Sequence, residues 1–396
     1  MGSFVLHGNI IDSESPERLR VAADSYLVCE EGRCTGVFSA LPERFSGLPL
    51  TDFGDRLILP GMTDLHLHAP QFAFRGLGMD LELLDWLNAR TFPEEAKYAD
   101  LSYAALAYGQ FVDCLRRSAT TRAVVFGTVH PAATTLLMEL LEASGLVSYV
   151  GKVNMDRDCP EALREADAAA SLAATEQWLA SARFAHTKPI LTPRFVPSCS
   201  DALLQGLGEL AARRGLPVQS HLSENLGEIA LVQSLCPQTD FYAEAYDRCG
   251  LLSQPCIMAH CVHCPPEEQD LLQARGVHPA FILDEGGNIS QPFALTRKPF
   301  ATVGVAEKGR LLFSLSCTAP RALEELSRAA ARISRIHPRA RLCDPVLSDM
   351  LPAMRPLMNG RDRFCLSHGR LFHGSLLHRL SRTATGRAIT RTQLSL

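Results

Sequence analysis

No apolar run in these 396 residues approaches the ~18 that a membrane-crossing helix needs, so no transmembrane segment is expected. An excess of one charge is also missing. Lys and Arg number 39 against 43 Asp and Glu, for a net charge of −4, so nothing points to nucleic acid or an anionic membrane surface as a partner. The opening Met1-Gly2-Ser3-Phe4-Val5-Leu6-His7 has no basic stretch followed by an apolar core, which argues against a secretory signal and for a cytoplasmic setting. In that setting the 13 cysteines are expected to be reduced and to serve mainly as small buried hydrophobes. Their one tight cluster is His260-Cys261-Val262-His263-Cys264. No Gly-rich phosphate loop is visible, which removes the main signature of a doubly wound nucleotide-binding sheet. What is present, 46% hydrophobic and 21% charged residues, is ordinary for a globular chain with a large core.

The pattern divides the chain into three parts. Residues 1–58 read as short β segments separated by turns, a small β-sandwich unit. Residues 59–278 alternate β-type apolar runs with helical periodicity. Strands are expected over 120–126, 148–153, 189–193, 216–221 and 256–260, and helices over 101–116, 132–144, 160–182, 201–214, 228–236 and 266–275. Such alternation implies a parallel sheet, and the fold expected is α/β, a TIM-like (β/α)8 barrel. Residues 279–396 lose the alternation and turn Arg-rich, with one helix expected over 321–336, so the barrel pattern stops at about residue 278.

Polar residues recur where that barrel would build an active site, at the C-terminal tips of successive strands: His66 and His68, Arg194, His221 and His260. In Pro60-Gly61-Met62-Thr63-Asp64-Leu65-His66-Leu67-His68 the two histidines are two residues apart, which places both imidazoles on one face of a strand. Two neutral imidazoles side by side can chelate a divalent metal, though a strand with a polar tip has the same look. Ser220-His221-Leu222-Ser223-Glu224-Asn225 sets a carboxylate three residues beyond a strand-tip histidine, which suits a metal ligand with a general acid/base beside it. Met258-Ala259-His260-Cys261 adds another such histidine, with His263 and Cys264 read as bystanders.

These motifs resemble the amidohydrolase superfamily and, within it, the guanine deaminase family. The resemblance is carried further by His68-Ala69-Pro70-Gln71-Phe72-Ala73-Phe74, Leu84-Asp85-Trp86-Leu87, Thr91-Phe92-Pro93-Glu94-Glu95, Gly151-Lys152-Val153-Asn154-Met155-Asp156 and Thr192-Pro193-Arg194-Phe195. It runs from the N-terminus to about Val277. It implies one Zn²⁺ held by His66, His68, His221 and His260, with Glu224 moving protons. It also implies Gln71 and Arg194 on the rim of a purine, Phe195 and Trp86 as the aromatic side of the pocket, guanine as substrate and a homodimer. The alternatives are a deaminase of another aminopurine, pterin or triazine, and an impaired remnant that binds zinc or purine without turnover.

The chain departs from the family downstream. A further metal ligand, an Asp in a Gly-Ser-Asp type loop, is expected where this chain reads Arg310-Leu311-Leu312-Phe313-Ser314-Leu315-Ser316-Cys317, with no Asp. The His-Cys-Pro-x-Ser-Asn segment expected after Gly276-Val277 is replaced by Ala280-Phe281-Ile282-Leu283-Asp284, and no C-terminal strand is recognisable. Asp284, Asp344 and Asp349 sit in no matching motif. A change of reading frame near residue 279 and genuine divergence both account for the switch, and the DNA encoding residues 275–320 decides between them.

Overall fold

The computed structural model describes residues 2–15, 18–74, 77, 81–118, 120–280, 363–366 and 371–373. The first strands, β1 (Phe4–Ser15), β2 (Arg18–Glu30) and β3 (Arg33–Phe38), form an antiparallel meander. β4 (Leu50–Leu59) then runs parallel to β1. Alternation along β1 sends neighbours to opposite faces. Val5 packs with Val28 and Phe45, whereas Leu6 and Ile10 pack with Phe53 and Ile58. Instead of the expected sandwich, the four described strands of this unit lie in one sheet, whose Val5 face is covered by the turn carrying Phe45.

The α/β part begins at β5 (Met62–His68). Parallel pairing runs from β5 to β6 (Thr120–Phe126), β7 (Val147–Gly151) and its continuation β8 (Val153–Asn154), then β9 (Thr187–Pro189) and its continuation β10 (Thr192–Pro193). It continues through a bridge between Leu191 and Val218 to β11 (Val218–Leu222), β12 (Cys256–His260) and β13 (His278–Ala280). These are seven successive parallel positions among the described residues. Leu65 of β5, Val124 of β6, Ile190 and Ala280 of β13 share one apolar cluster, with Ile257 against it. Side chains from the first and last of these strands thus meet at a common centre, the arrangement of a TIM-like fold.

Helices fill the connections. The stretch after β5 holds α1 (Leu83–Trp86), a π-helical turn (Leu87–Thr91) and α2 (Phe92–Ala96), followed by α3 (Leu101–Arg116). Further on come α4 (Pro131–Ser144), α5 (Ala168–Ser181), α6 (Asp201–Arg214), α7 (Leu226–Leu235), α8 (Tyr242–Arg248) and α9 (Pro266–Ala274). Tyr108, Phe111 and Leu115 of α3 and Leu137, Met138 and Leu141 of α4 bury Leu67, Val125 and Val150 on the outer face of the sheet. α6 starts where the Ser200 hydroxyl accepts from Leu203 N–H and stops at Gly215, whose φ of +62° suits a residue without a Cβ. Gly61 is required by close approach. A Cβ there would meet the Thr121 hydroxyl at 2.0 Å, so the Pro-Gly break lets β6 come up against the start of β5.

The structure corrects the helix expected over 160–182, where only α5 forms beyond a single 3₁₀ turn (Glu161–Leu163). The Asp167 side chain caps α5 by accepting from Ala170 N–H, and Glu165 before it turns inward. Glu165 pairs with Lys152 and accepts from Met155 N–H (3.1 Å) and the Ser171 hydroxyl (2.5 Å). Burial lowers the Lys152 pKa, and the Glu165 charge opposes that. Lys152→Met strands the carboxylate, and a loss of about 3–5 kcal/mol is expected in urea unfolding; an unchanged midpoint would mean the pair is dispensable.

The C-terminal region is also corrected in part. β14 (Arg363–Leu366) pairs parallel with β4 and antiparallel with β15 (Leu371–His373), extending the first sheet. The helix expected over 321–336, the segment at residues 310–317 and Asp284, Asp344 and Asp349 lie outside the described residues.

Candidate active site

Three strand tips deliver four imidazoles to one place. β5 carries His66 and His68, β11 carries His221 and β12 carries His260. A register irregularity lies between Asp64 and Leu67, and inside it His66 N–H donates to Asp64 Oδ1 at 3.2 Å. Strand irregularities re-aim side chains in this way next to sites. Ring centroids lie 4.8 Å apart for His66–His68, 5.0 Å for His66–His221 and 5.2 Å for His66–His260. The ligand atoms of His66, His68 and His221 all fall within 4.8 Å of one another. Phe126 at the tip of β6 stacks on His68 at 4.4 Å and forms an apolar wall.

The donor set fits a divalent cation. His221 Nδ1 faces the Arg194 carbonyl at 2.6 Å, so that nitrogen carries the proton and Nε2 presents a lone pair. His221 Nε2 lies 3.0 Å from His68 Nε2, near the ~3.3 Å between two nitrogens on a tetrahedral zinc. His68 Nδ1 is buried with no partner among the described residues. Burial, then the neighbouring imidazoles and Arg194, hold His66 and His68 well below the usual histidine pKa; burial and His221 do the same to His260. Burial takes His221 down to about 3 although its bond to the Arg194 carbonyl works the other way. Neutral imidazoles are what a metal needs.

Glu224 stands at the edge of this cluster. Its Oε2 is 3.3 Å from His260 Nε2, and its side chain remains 26% exposed. Burial in the recess, then the nearby Glu228, raises its carboxyl to about 8. A carboxyl raised towards neutral pH suits proton transfer. The loop holding it departs from ordinary backbone. Ser223 has φ +49°, and at the tip of β12 His260 and Cys261 have φ +73° and +54°. Each such conformation costs on the order of 1–3 kcal/mol and persists only where surrounding bonds fix it.

The residues expected to face a substrate fall on the connections around the same tips. Gln71 is buried in the 3₁₀ turn Ala69–Phe74 directly after β5, and its amide makes no side-chain hydrogen bond among the described residues. Trp86 and Phe195 join one apolar cluster with Leu87, Phe92 and Phe126. The Trp86 indole N–H donates to the Leu77 carbonyl at 3.0 Å. Arg194 is buried, donates to Glu95 Oε2 at 2.6 Å and lies over the Phe92 ring at 5.1 Å. Glu95, whose pKa burial raises while Arg194 pulls it down, keeps Oε1 buried without a partner among the described residues.

Sequence reasoning gave no role to Glu95, Glu228, Glu268, Tyr242 or Tyr246, which lie behind the cluster. The signal for Glu228 was present as Asn225-x-x-Glu228, a capping box at the start of α7. The tyrosines sit on α8, a seven-residue helix too short for periodicity to reveal.

The comparisons with known proteins agree with this geometry. The model of the Amidohydrolase family matches residues 57–291. The probable guanine deaminase of Schizosaccharomyces pombe is 41% identical over 225 residues, 56% of this chain and 43% of that protein. The guanine deaminase of Dictyostelium discoideum is 40% identical over 227 residues, 57% of this chain and 50% of that protein. The chain thus spans about half the length of these curated relatives. Among solved structures, guanine deaminase from C. acetobutylicum with bound guanine in the active site superposes with a TM-score of 0.74 at 39% identity, covering 85% of this chain and 80% of that one. The chain therefore belongs to the amidohydrolase family and, within it, is similar to guanine deaminases.

Proposed function

We propose that this protein is a zinc-dependent guanine deaminase, converting guanine and water to xanthine and ammonia. The observation that carries the reading is the convergence of His66, His68 and His221 within 4.8 Å, with Glu224 3.3 Å from His260 beside them, in a chain 39% identical to a structure with guanine bound. His66, His68, His221 and His260 would hold the Zn²⁺. A zinc ion there would supply Lewis acidity, bringing the pKa of water towards ~7.

The chain's own groups account for the rest of the chemistry. Guanine is flat and neutral, with donors and acceptors around its rim. The Gln71 amide and the Arg194 guanidinium, held in place by Glu95, are the groups that read that rim. Phe195 and Trp86 offer apolar ring faces. Glu224 takes a proton from the attacking water and passes it to the purine ring nitrogen. Water oxygen then bonds the carbon that bears the exocyclic amine. Glu224 carries the second proton to that amine as its C–N bond breaks, and ammonia leaves. Phe126 and the buried strand tips exclude bulk water from this exchange.

The second reading, zinc or purine binding without turnover, is favoured by one observation: Arg310 to Cys317 contains no Asp. Purified chain with added zinc decides between them. Xanthine and ammonia in equal amounts support the deaminase, and guanine binding without product supports the remnant. Arg194→Ala is expected to lose at least ~10-fold more kcat/KM on guanine than on other aminopurines, pterins and triazines; an equal loss on every substrate would remove Arg194 from the specificity role. The homodimer suggested by family resemblance is checked by sedimentation of the same sample.

A further inference from the structure

The Glu224 loop is held from behind by α8. The Tyr246 hydroxyl donates to the His221 carbonyl at 2.9 Å and shares a hydrogen bond with the Ser220 hydroxyl at 2.8 Å. The Ser223 hydroxyl donates to Glu268 Oε2 at 3.0 Å, and the other oxygen of Glu268 accepts from Ala243 N–H at 2.6 Å. Glu228 closes the set. Its Oε2 accepts from Glu224 N–H at 3.0 Å and from Asn225 N–H at 3.4 Å, and its Oε1 accepts from the Tyr242 hydroxyl at 2.9 Å. The Tyr242 hydroxyl in turn accepts from Val196 N–H at 3.3 Å, one residue beyond Phe195.

Glu228 and Glu268 are fully buried. A buried carboxylate is costly unless hydrogen-bonded, and both are bonded to the same three-residue loop and to the same short helix. Ser223, in that loop, has the left-handed backbone that needs outside support. We infer that Glu228, acting with Tyr242, is a positioning residue. It fixes the backbone of Glu224 relative to the metal-side histidines and ties that loop to the Phe195–Val196 turn across the site. Its role in turnover rests on the deaminase reading above; its role in ordering the loop does not.

The test separates these two. Amide hydrogen exchange on the full chain, wild type against Glu228→Ala, reads the loop directly. The Glu224 and Asn225 amides are expected to be protected in the wild type and to exchange at least ~10-fold faster in Glu228→Ala, while the α6 amides stay unchanged as evidence of folding. Unprotected amides in the folded wild type overturn the inference whatever the turnover. Where the wild type deaminates guanine, Glu228→Ala is expected to lose about 10–100-fold in kcat with KM within about twofold and zinc content unchanged. Glu228→Gln keeps an acceptor for the two amides and is expected to recover most of that loss. Tyr242→Phe, the gentler variant should Glu228→Ala not fold, is expected to show a smaller kcat loss and faster Glu224 exchange. Full kcat in folded Glu228→Ala, or a loss confined to KM, overturns the positioning role. A wild type without turnover but with protected Glu224 and Asn225 amides overturns the deaminase reading alone.

Discussion

His68→Ala is expected to lose stoichiometric zinc and at least about 10³-fold in kcat/KM on guanine, the equivalent of several kcal/mol of charge stabilisation. The physical reason is local. His68 Nε2 and His221 Nε2 converge at 3.0 Å, and the Arg194 carbonyl fixes the His221 tautomer, so an alanine removes one jaw of a preset clip. His263→Ala is the control. That residue is exposed, three positions beyond His260, and outside the cluster. Metal analysis by mass spectrometry beside steady-state kinetics checks both variants. Retained zinc in His68→Ala would remove this histidine from the ligand set.

Glu224→Gln is expected to keep its zinc and lose about 10²–10⁴-fold in kcat, the range for removing a positioned proton carrier. The amide is nearly the same size and still fits against His260, but it cannot accept the proton from water or return one to the leaving nitrogen. Among the described residues, Glu224 contacts the histidine cluster, at 3.3 Å from His260, and keeps a quarter of its side chain open to solvent. Glu228 and Glu268 are sealed by their own hydrogen bonds and cannot substitute for it. If Glu224→Gln turned guanine over at the wild-type rate, the proton path drawn through Glu224 would be wrong.

Much of the site was legible because its chemistry lies on strand tips. His66, His68, His221 and His260 all lie at or near the C-terminal ends of β-type runs, and the period-2 spacing of His66 and His68 puts both on one strand face without tertiary information. The parallel α/β order was legible for the same reason. Glu165 shows what was not. Composition over 160–182 favours helix throughout, yet the helix starts only at Ala168, and Glu165 before it turns in to the buried Lys152 between β7 and β8. Arg194 is a similar case: its spacing places it at the site, but its ion pair with Glu95 spans 99 residues of sequence and leaves no local trace. α8 was invisible because seven residues make too short a period to read, although its tyrosines and Ala243 N–H anchor the loop of Glu224. The strands β14 and β15 lack apolar alternation strong enough to stand out, and pairing with β4 supplies their order.

We propose that four histidines from three strand tips form a single zinc centre that Glu224 serves. X-ray absorption at the zinc edge of the protein loaded with one equivalent tests it most directly. Saturable binding of one zinc per chain is expected, with a first shell of nitrogen and oxygen at ~2.0–2.1 Å and the outer-shell scattering of several imidazoles. A sulfur scatterer at ~2.3 Å, which would bring in Cys261 or Cys264, or the absence of saturable binding, would contradict it.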